Sequence, residues 1–229
     1  MRHSILNYIG ESLTTLKAIL RKIAKELQHK EKIREETQRE MRKATSLSKQ
    51  AILLIHQKRL GEARKLVVEA RKIISALSEL SAEHPRIIYS GLFSAALQEH
   101  AEANILLALV EESRLVTPEE INVPSSDYVL GLADVIGECR RLVLDTLREN
   151  NVKKGERYLQ TMDEIYIELM AMDESYMLVA GLRRKCDVAR KIIEVTRGDV
   201  THEIGRNQLE KHLKRLEEKT KRRRRITTG

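Results

Sequence analysis

The stretch Asp127–Arg141, DYVLGLADVIGECRR, decides the fold class. Followed on to Asp145 at about 100° per residue, it puts Leu132, Val135, Ile136, Cys139, Leu142 and Val143 on one face, with Asp134, Glu138, Arg141 and Asp145 opposite. A helix with one apolar face must bury it against another element, and the same period recurs through the chain.

Upstream, Ile5, Ile9, Leu13, Leu16, Leu20, Ile23 and Leu27 are spaced by three or four residues. This narrow stripe, sustained through about three heptads, predicts a helix packed against another helix. A second, very polar helix is expected to about Lys58, its apolar content concentrated in Ala51–Ile55. Beyond Gly61, the residues Ala63, Leu66, Val67, Ala70, Ile73, Ile74 and Leu77 recur at helical spacing until Pro85, which opens a fourth helix to about Glu112. Arg114–Asp127, with Pro118 and Pro124, reads as a loop with one helical turn, and the next helix begins near Ser126. Asn150 and Asn151 break it, Gly155 sits near the next start, and two more helices run to about Met172 and from about Glu174 to Thr196. Gly198 is expected to separate a last helix carrying the short stripe Leu209, Leu213 and Leu216.

Composition agrees. The 229 residues are 41% apolar and 33% charged, with 10 Gly, 3 Pro, one Phe, six Tyr and no Trp, which excludes an all-β domain and leaves no linker for a second one. The expectation is an all-α antiparallel bundle of about seven to nine helices over residues 1–218, with a basic tail over 219–229. No apolar run approaches the roughly 20 residues of a membrane span or forms a secretory signal, so the expected location is cytoplasmic, with no membrane partner. Cys139 and Cys186 stand apart without C-x-x-C spacing, which suits a reducing compartment and two ordinary thiols.

The net charge of +8 is concentrated at one end: Lys211–Arg225 holds nine Lys or Arg against Glu217 and Glu218 and accounts for +7. Arg222, Arg223, Arg224 and Arg225 are therefore candidates for electrostatic contact with nucleic acid, although a solvated helix end produces the same pattern.

One acid falls on the wrong face. In the fourth predicted helix Leu92, Ala96, Ala103, Leu106, Leu107 and Val110 share a sector with Glu99 in its middle, Glu102 on its flank and His100 pointing elsewhere. A buried carboxylate neutralises, pairs with a base or binds a cation, which leaves Glu99 open between a Lys or Arg partner and a metal-ligand role. Asp134 and Glu138 likewise fit an ordinary polar face with an i,i+3 pair to Arg141. Together E-x-x-E and D-x-x-x-E supply hard oxygen ligands suited to Mg²⁺ or Mn²⁺, without the histidine of a di-iron E-x-x-H motif. If the two helices face one another, the four acids could hold one or two ions that polarise a phosphoryl oxygen and activate water.

These segments resemble the translin and translin-associated factor X family. DYVLGLADVIGECRR is similar to that family's D-Y-L-L-G-V-A-D-x-x-G-E-x-x-R segment, and Leu97–Ala103 (LQEHAEA) to its L-Q-E-Y-x-E-A. Leu115–Asn122 (LVTPEEIN) resembles L-I-S-M-D-E-I-N, and Ser48–Ile55 (SKQAILLI) resembles S-K-R-T-I-F-L-L. The matches come in family order, from about Arg34 to Gly198. The resemblance implies a helical protein that assembles into a hollow, octamer-like homo-oligomer and binds RNA and single-stranded DNA. It assigns Glu99, Glu102, Asp134 and Glu138 as the catalytic, Mg²⁺-binding acids of an endoribonuclease, with Mn²⁺ as a substitute. Lys49 and Arg141 occupy positions that are basic in the family, where a cation could bind RNA or balance nearby acids. The long insertion of the eukaryotic factor is missing, with only Val123–Ser126 in its place. A compact, archaeal single-gene version is the natural reading, which leaves a translin-type partner subunit in question.

Three functions follow as expectations. The first is a Mg²⁺-dependent endoribonuclease cutting RNA inside the shell, with few aromatic residues for stacking and hence mainly phosphate and sugar contacts of strong salt dependence. The second is a non-catalytic RNA- or single-stranded-DNA-binding oligomer whose acids serve as ion-pair partners. The third is an all-α Mg²⁺-dependent nucleotide pyrophosphatase, against which the D-Y-V-L-G-L-A-D-x-x-G-E run argues.

Overall fold

Helix is the only regular structure among the described residues. The computed structural model describes the backbone of residues 2–88, 91–172 and 174–227, and the side chains of 15–85, 88, 91–172 and 176–219. Its elements are α1 (Arg2–His56), α2 (Leu60–Leu80), α3 (Pro85–Ile88), α4 (Gly91–Glu112), α5 (Pro118–Ile121), α6 (Ser125–Arg148), α7 (Val152–Met170), α8 (Glu174–Leu178) and α9 (Leu182–Thr227).

The two helices expected before Lys58 are one. α1 has 55 residues, about 80 Å of helix, and nothing between Leu27 and Lys49 supplies a break. Lys30–Glu26 and Arg34–Glu31, at 2.7 and 2.6 Å, support this polar stretch from within. Among the described residues of the N-terminal stripe the expected packing is not found: Leu16, Leu20, Ile23 and Leu27 are 45–59% exposed. The side chains of Ile5, Ile9 and Leu13 lie outside the described residues.

The turn after α1 uses Lys58 at φ 61, and α2 returns along α1 with Ala63, Val67, Ala70, Ile74 and Leu77 buried. The helix expected from Pro85 to Glu112 is two elements, α3 and α4, on either side of residues 89 and 90. The loop to α6 holds the expected turn as α5, where Thr117 and Glu120 cap one another and Asn122 ends the turn in the left-handed region at φ 54. Asn150 at φ 59 ends α6, and the Asn151 side chain accepts from Lys154 N at 3.2 Å to start α7.

Contacts fix the helix directions. Arg71 and Arg64 of α2 reach Asn104 and Glu111 of α4, so these two run antiparallel, as do α1 and α2. The long connection through α5 lets α6 start beside the start of α4. There Ser94 Oγ donates to Asp127 Oδ1 and Gln98 Nε2 donates to Ser94 Oγ at 3.0 Å, which satisfies a buried carboxylate and sets the α4–α6 register. One turn further on, α4 and α6 are in backbone contact: a Cβ on Gly131 would stand 2.7 Å from Gln98 O and 2.8 Å from Ala101 Cβ. α9 runs with α6, pairing Lys185 with Asp134 and then Arg140 with Asp199.

Gly198 does not end a helix. α9 continues through it and through Gly205 to Thr227. A single exposed helical Gly costs only about 1 kcal/mol, and its neighbours are held by Arg197–Asp163 at 2.7 Å and Arg140–Asp199 at 3.2 Å. No described helix is long and apolar enough to cross a membrane.

Candidate functional site

The α4–α6 crossing places a carboxylate pocket of about 560 Å³ on the side that faces α1. Lys49 from α1, Glu99 and Glu102 from α4, and Asp134, Glu138 and Arg141 from α6 line it. All six are residues that the sequence singles out, so two acid pairs far apart in the chain share one wall-to-wall site.

Their burial corrects the periodicity. Glu99 was expected in the middle of the apolar face, yet its side chain is 24% exposed and its Oε1 lies 3.1 Å from Lys49 Nζ. The deeply placed acid is Glu102, at 8% exposure, one turn on and directly against the Gly131 crossing. Close helix approach at Gly131 lets α6 cover the flank of α4, so the covered sector is wider than the apolar residues alone outline. His100 is 0% exposed rather than turned away from the core; burial, with the nearby Arg71 charge, depresses its imidazole to about 4.

Burial pushes the Glu102 carboxyl up to about 9, with the charges of Asp134, Glu99 and Glu138 adding to the shift and Lys185 opposing it. The remaining acids have basic neighbours. Lys185 Nζ, from α9, donates to Asp134 Oδ2. His56 Nε2, at the end of α1, lies 2.6 Å from Glu138 Oε2. The His56 side chain is 2% exposed and its Nδ1 makes no hydrogen bond, Asp145 Oδ2 being 3.8 Å away. Arg141 does not form the expected i,i+3 pair with Glu138; it is exposed at the rim.

Among the described residues, no group of three or more His, Cys, Asp or Glu side chains is drawn together as metal ligands would be. Instead, the ammonium groups of Lys49 and Lys185 rest on Glu99 and Asp134. The side chains that line the pocket are nonetheless all hard-oxygen donors apart from Lys49, Arg141 and two apolar residues, the chemistry that would suit a divalent cation.

His56 and Lys185 are the site residues that sequence reasoning missed. His56 directly follows the SKQAILLI segment and carries a signal in that adjacency, whereas Lys185 lies in a basic run, RRKCDVARK, where nothing distinguishes one cation from the next. The side chains of Arg222, Arg223, Arg224 and Arg225 lie outside the described residues; the backbone there continues α9. Both cysteines are buried and free, with the Cys139 thiol pushed up to about 12 by burial, which makes it unreactive.

Comparison with known proteins covers the same helices. The translin family model matches residues 32–195. An uncharacterized protein of Methanocaldococcus jannaschii is 35% identical over 193 residues, 83% of this chain and 85% of that protein. Among solved structures, AfC3PO in complex with duplex RNA is 31% identical with a TM-score of 0.72, over 80% of this chain and 95% of the other. AfC3PO alone is 32% identical with a TM-score of 0.68, over 80% and 96%. Apo-NeC3PO, 23% identical over 80% and 96% of the two chains, shares the fold at a TM-score of 0.73. Since the family match spans α1 from residue 32 onward, α4, α6 and the pocket between them, the chain belongs to the translin family.

Proposed function

We propose that this protein is a divalent-metal-dependent endoribonuclease that works as a homo-oligomer. The observation that carries the reading is the convergence of Glu99, Glu102, Asp134 and Glu138 on one pocket rimmed by Lys49 and Arg141. RNA as the ligand is supported by the AfC3PO relative, which has been solved with duplex RNA; short duplexes therefore join single strands as candidate substrates.

In this reading the four acids hold the ion. A Mg²⁺ or Mn²⁺ ion held there would supply Lewis-acid polarisation of a phosphoryl oxygen and activation of water near neutral pH. The chain's own residues then have distinct tasks. His56 fixes the Glu138 carboxylate through its 2.6 Å contact, and Glu102, the most buried of the four acids, would complete the ligand set from the floor of the pocket. Lys49 and Arg141 face the RNA phosphates. Hydrolysis breaks one P–O ester bond, joins the water oxygen to phosphorus and returns a proton to the leaving oxygen.

The experiment is single-turnover cleavage of an RNA oligonucleotide with Mg²⁺ and with EDTA, by wild type and by Glu99→Gln. Metal-dependent cutting that Glu99→Gln abolishes supports the nuclease. A second reading, an RNA-binding oligomer without catalysis, draws on the Lys49–Glu99 and Lys185–Asp134 ion pairs. RNA binding with no cutting by wild type would decide for it.

A further inference from the structure

Asp134 lines two cavities. Besides the carboxylate pocket, it opens onto a groove of about 230 Å³ between α6 and α9, where Ala133, Gly137, Arg184, Lys185 and Val188 join it. The groove is differently charged from the pocket. Among the described residues lining it Asp134 is the only acid, whereas Arg184 and Lys185 are both cations. Arg184 is exposed and has no ion pair among the described residues, and Lys185, 21% exposed, is held on Asp134.

If Asp134 is drawn to a divalent ion, Lys185 loses its partner and the groove is left with two unpaired cations beside the reacting centre. That is a site for an anion with two or more oxygens, and a nucleic-acid phosphate meets it. There is room for the ammonium to move. A Cβ on Gly137, three residues from Asp134, would meet nothing within 4 Å, and Val188 across the groove is 51% exposed. Lys185 also has the flexible four-carbon stem that such a movement needs. Lys49 is less suited to the part, since its side chain is 62% exposed and already solvated.

We propose that Lys185 is a tethered counter-ion, resting on Asp134 in the cation-free protein and passing to a phosphate oxygen of bound RNA when Asp134 takes a divalent cation. This rests on the metal-dependent reading above and adds to it a path for the strand: out of the carboxylate pocket along the α6–α9 groove, with Arg184 beside the same phosphate.

The test uses the full chain and two ligands separately. With Mn²⁺ alone, followed by electron paramagnetic resonance of the free ion, Lys185→Met should bind roughly fivefold tighter than wild type or more, because a competing positive charge has gone. Lys185→Arg should stay near wild type, and Lys185→Gln repeats the charge removal if the Met variant folds poorly. With a phosphorothioate single-stranded RNA and saturating Mn²⁺, Lys185→Met should bind more weakly, with a log–log salt slope shallower by about 0.7, one phosphate contact. Arg184→Gln should weaken RNA binding and leave Mn²⁺ affinity unchanged. A Lys185→Met protein that binds Mn²⁺ no better than wild type overturns the inference and makes Lys185 a structural partner of Asp134. A wild type that binds no Mn²⁺ overturns this inference and the metal-dependent reading together. A wild type that binds Mn²⁺ yet leaves RNA uncut overturns the nuclease alone.

Discussion

Gly131 of α6 sits so close to Gln98 of α4 that a Cβ at that glycine would stand 2.7 Å from the Gln98 carbonyl oxygen. The obstacle is main chain, with Ala101 Cβ at 2.8 Å beside it, so no side chain can swing aside to make room. The crossing is what brings Glu102 and Asp134 to one pocket. Gly131→Ala should therefore push the helices apart, cost roughly 1–3 kcal/mol by urea unfolding, and reduce metal-dependent RNA cleavage more than RNA binding. Unchanged stability and activity in this variant would mean that the crossing does not set the site.

Glu102 makes the metal-free protein sensitive to alkali. Its carboxyl is raised to about 9 in the fold against an ordinary 4.5, so between those values the native state keeps a proton that the unfolded chain has lost. Stability contributed by this group is complete below pH 4.5 and drains away as pH rises towards 9, with a loss on the order of a few kcal/mol by neutral pH. Glu102→Gln should raise the melting temperature of the metal-free protein at pH 8 and flatten its pH dependence, while removing the stabilisation that added Mg²⁺ gives wild type. A lower metal-free melting temperature for the variant at pH 8 would contradict a carboxyl held protonated by burial and by the acids beside it.

His100 works from the other side of the pH scale. Burial holds its imidazole neutral down to about 4, whereas the unfolded chain takes up a proton near 6.5. Its contribution is complete above 6.5 and is lost as pH falls through 4, to a limit of roughly 3 kcal/mol. His100→Leu should flatten the acid limb of a stability-against-pH curve; Asn104 Nδ2 keeps its 2.7 Å bond to the residue-100 carbonyl, which is main chain. An acid limb as steep as that of wild type would place the sensitivity elsewhere.

Local period reveals a helix face but not how far a neighbour covers it. The acid pairs were legible because Glu99 breaks an apolar sector and because the DYVLGLADVIGECRR and LQEHAEA segments have family counterparts. Which acid is buried was not, since that depends on a Gly131 contact between helices, and periodicity sees one helix at a time. The same blindness explains the boundaries. Gly198 looks like punctuation in the sequence, yet flanking ion pairs across α7 and α6 carry the helix through it. Lys185 reaches Asp134 only because α9 runs parallel to α6, a direction set by the connection through α8 and not by any residue pattern in α9.

The N-terminal arm bears on assembly. Residues 15–32 are exposed along their whole length, and within them Leu16, Leu20, Ile23 and Leu27 keep a three–four spacing at 49, 54, 45 and 59% exposure. Along this exposed stretch the four described stripe residues are left largely in water, and each such side chain gains roughly 1 kcal/mol or more when covered. The spacing is that of a helix-to-helix seam, and residues 2–31 lie outside the stretch matched by the family model. Wild type should therefore run well above a dimer in light scattering at micromolar concentration; a monomer of 26.4 kDa would exclude an enclosed site. Leu20→Glu combined with Leu27→Glu should lower the assembly's mass while leaving the cooperative melting of the bundle in place, because neither residue touches the core. If the mass is unchanged, assembly runs through the helices of the family match alone, and the arm's stripe is no part of it.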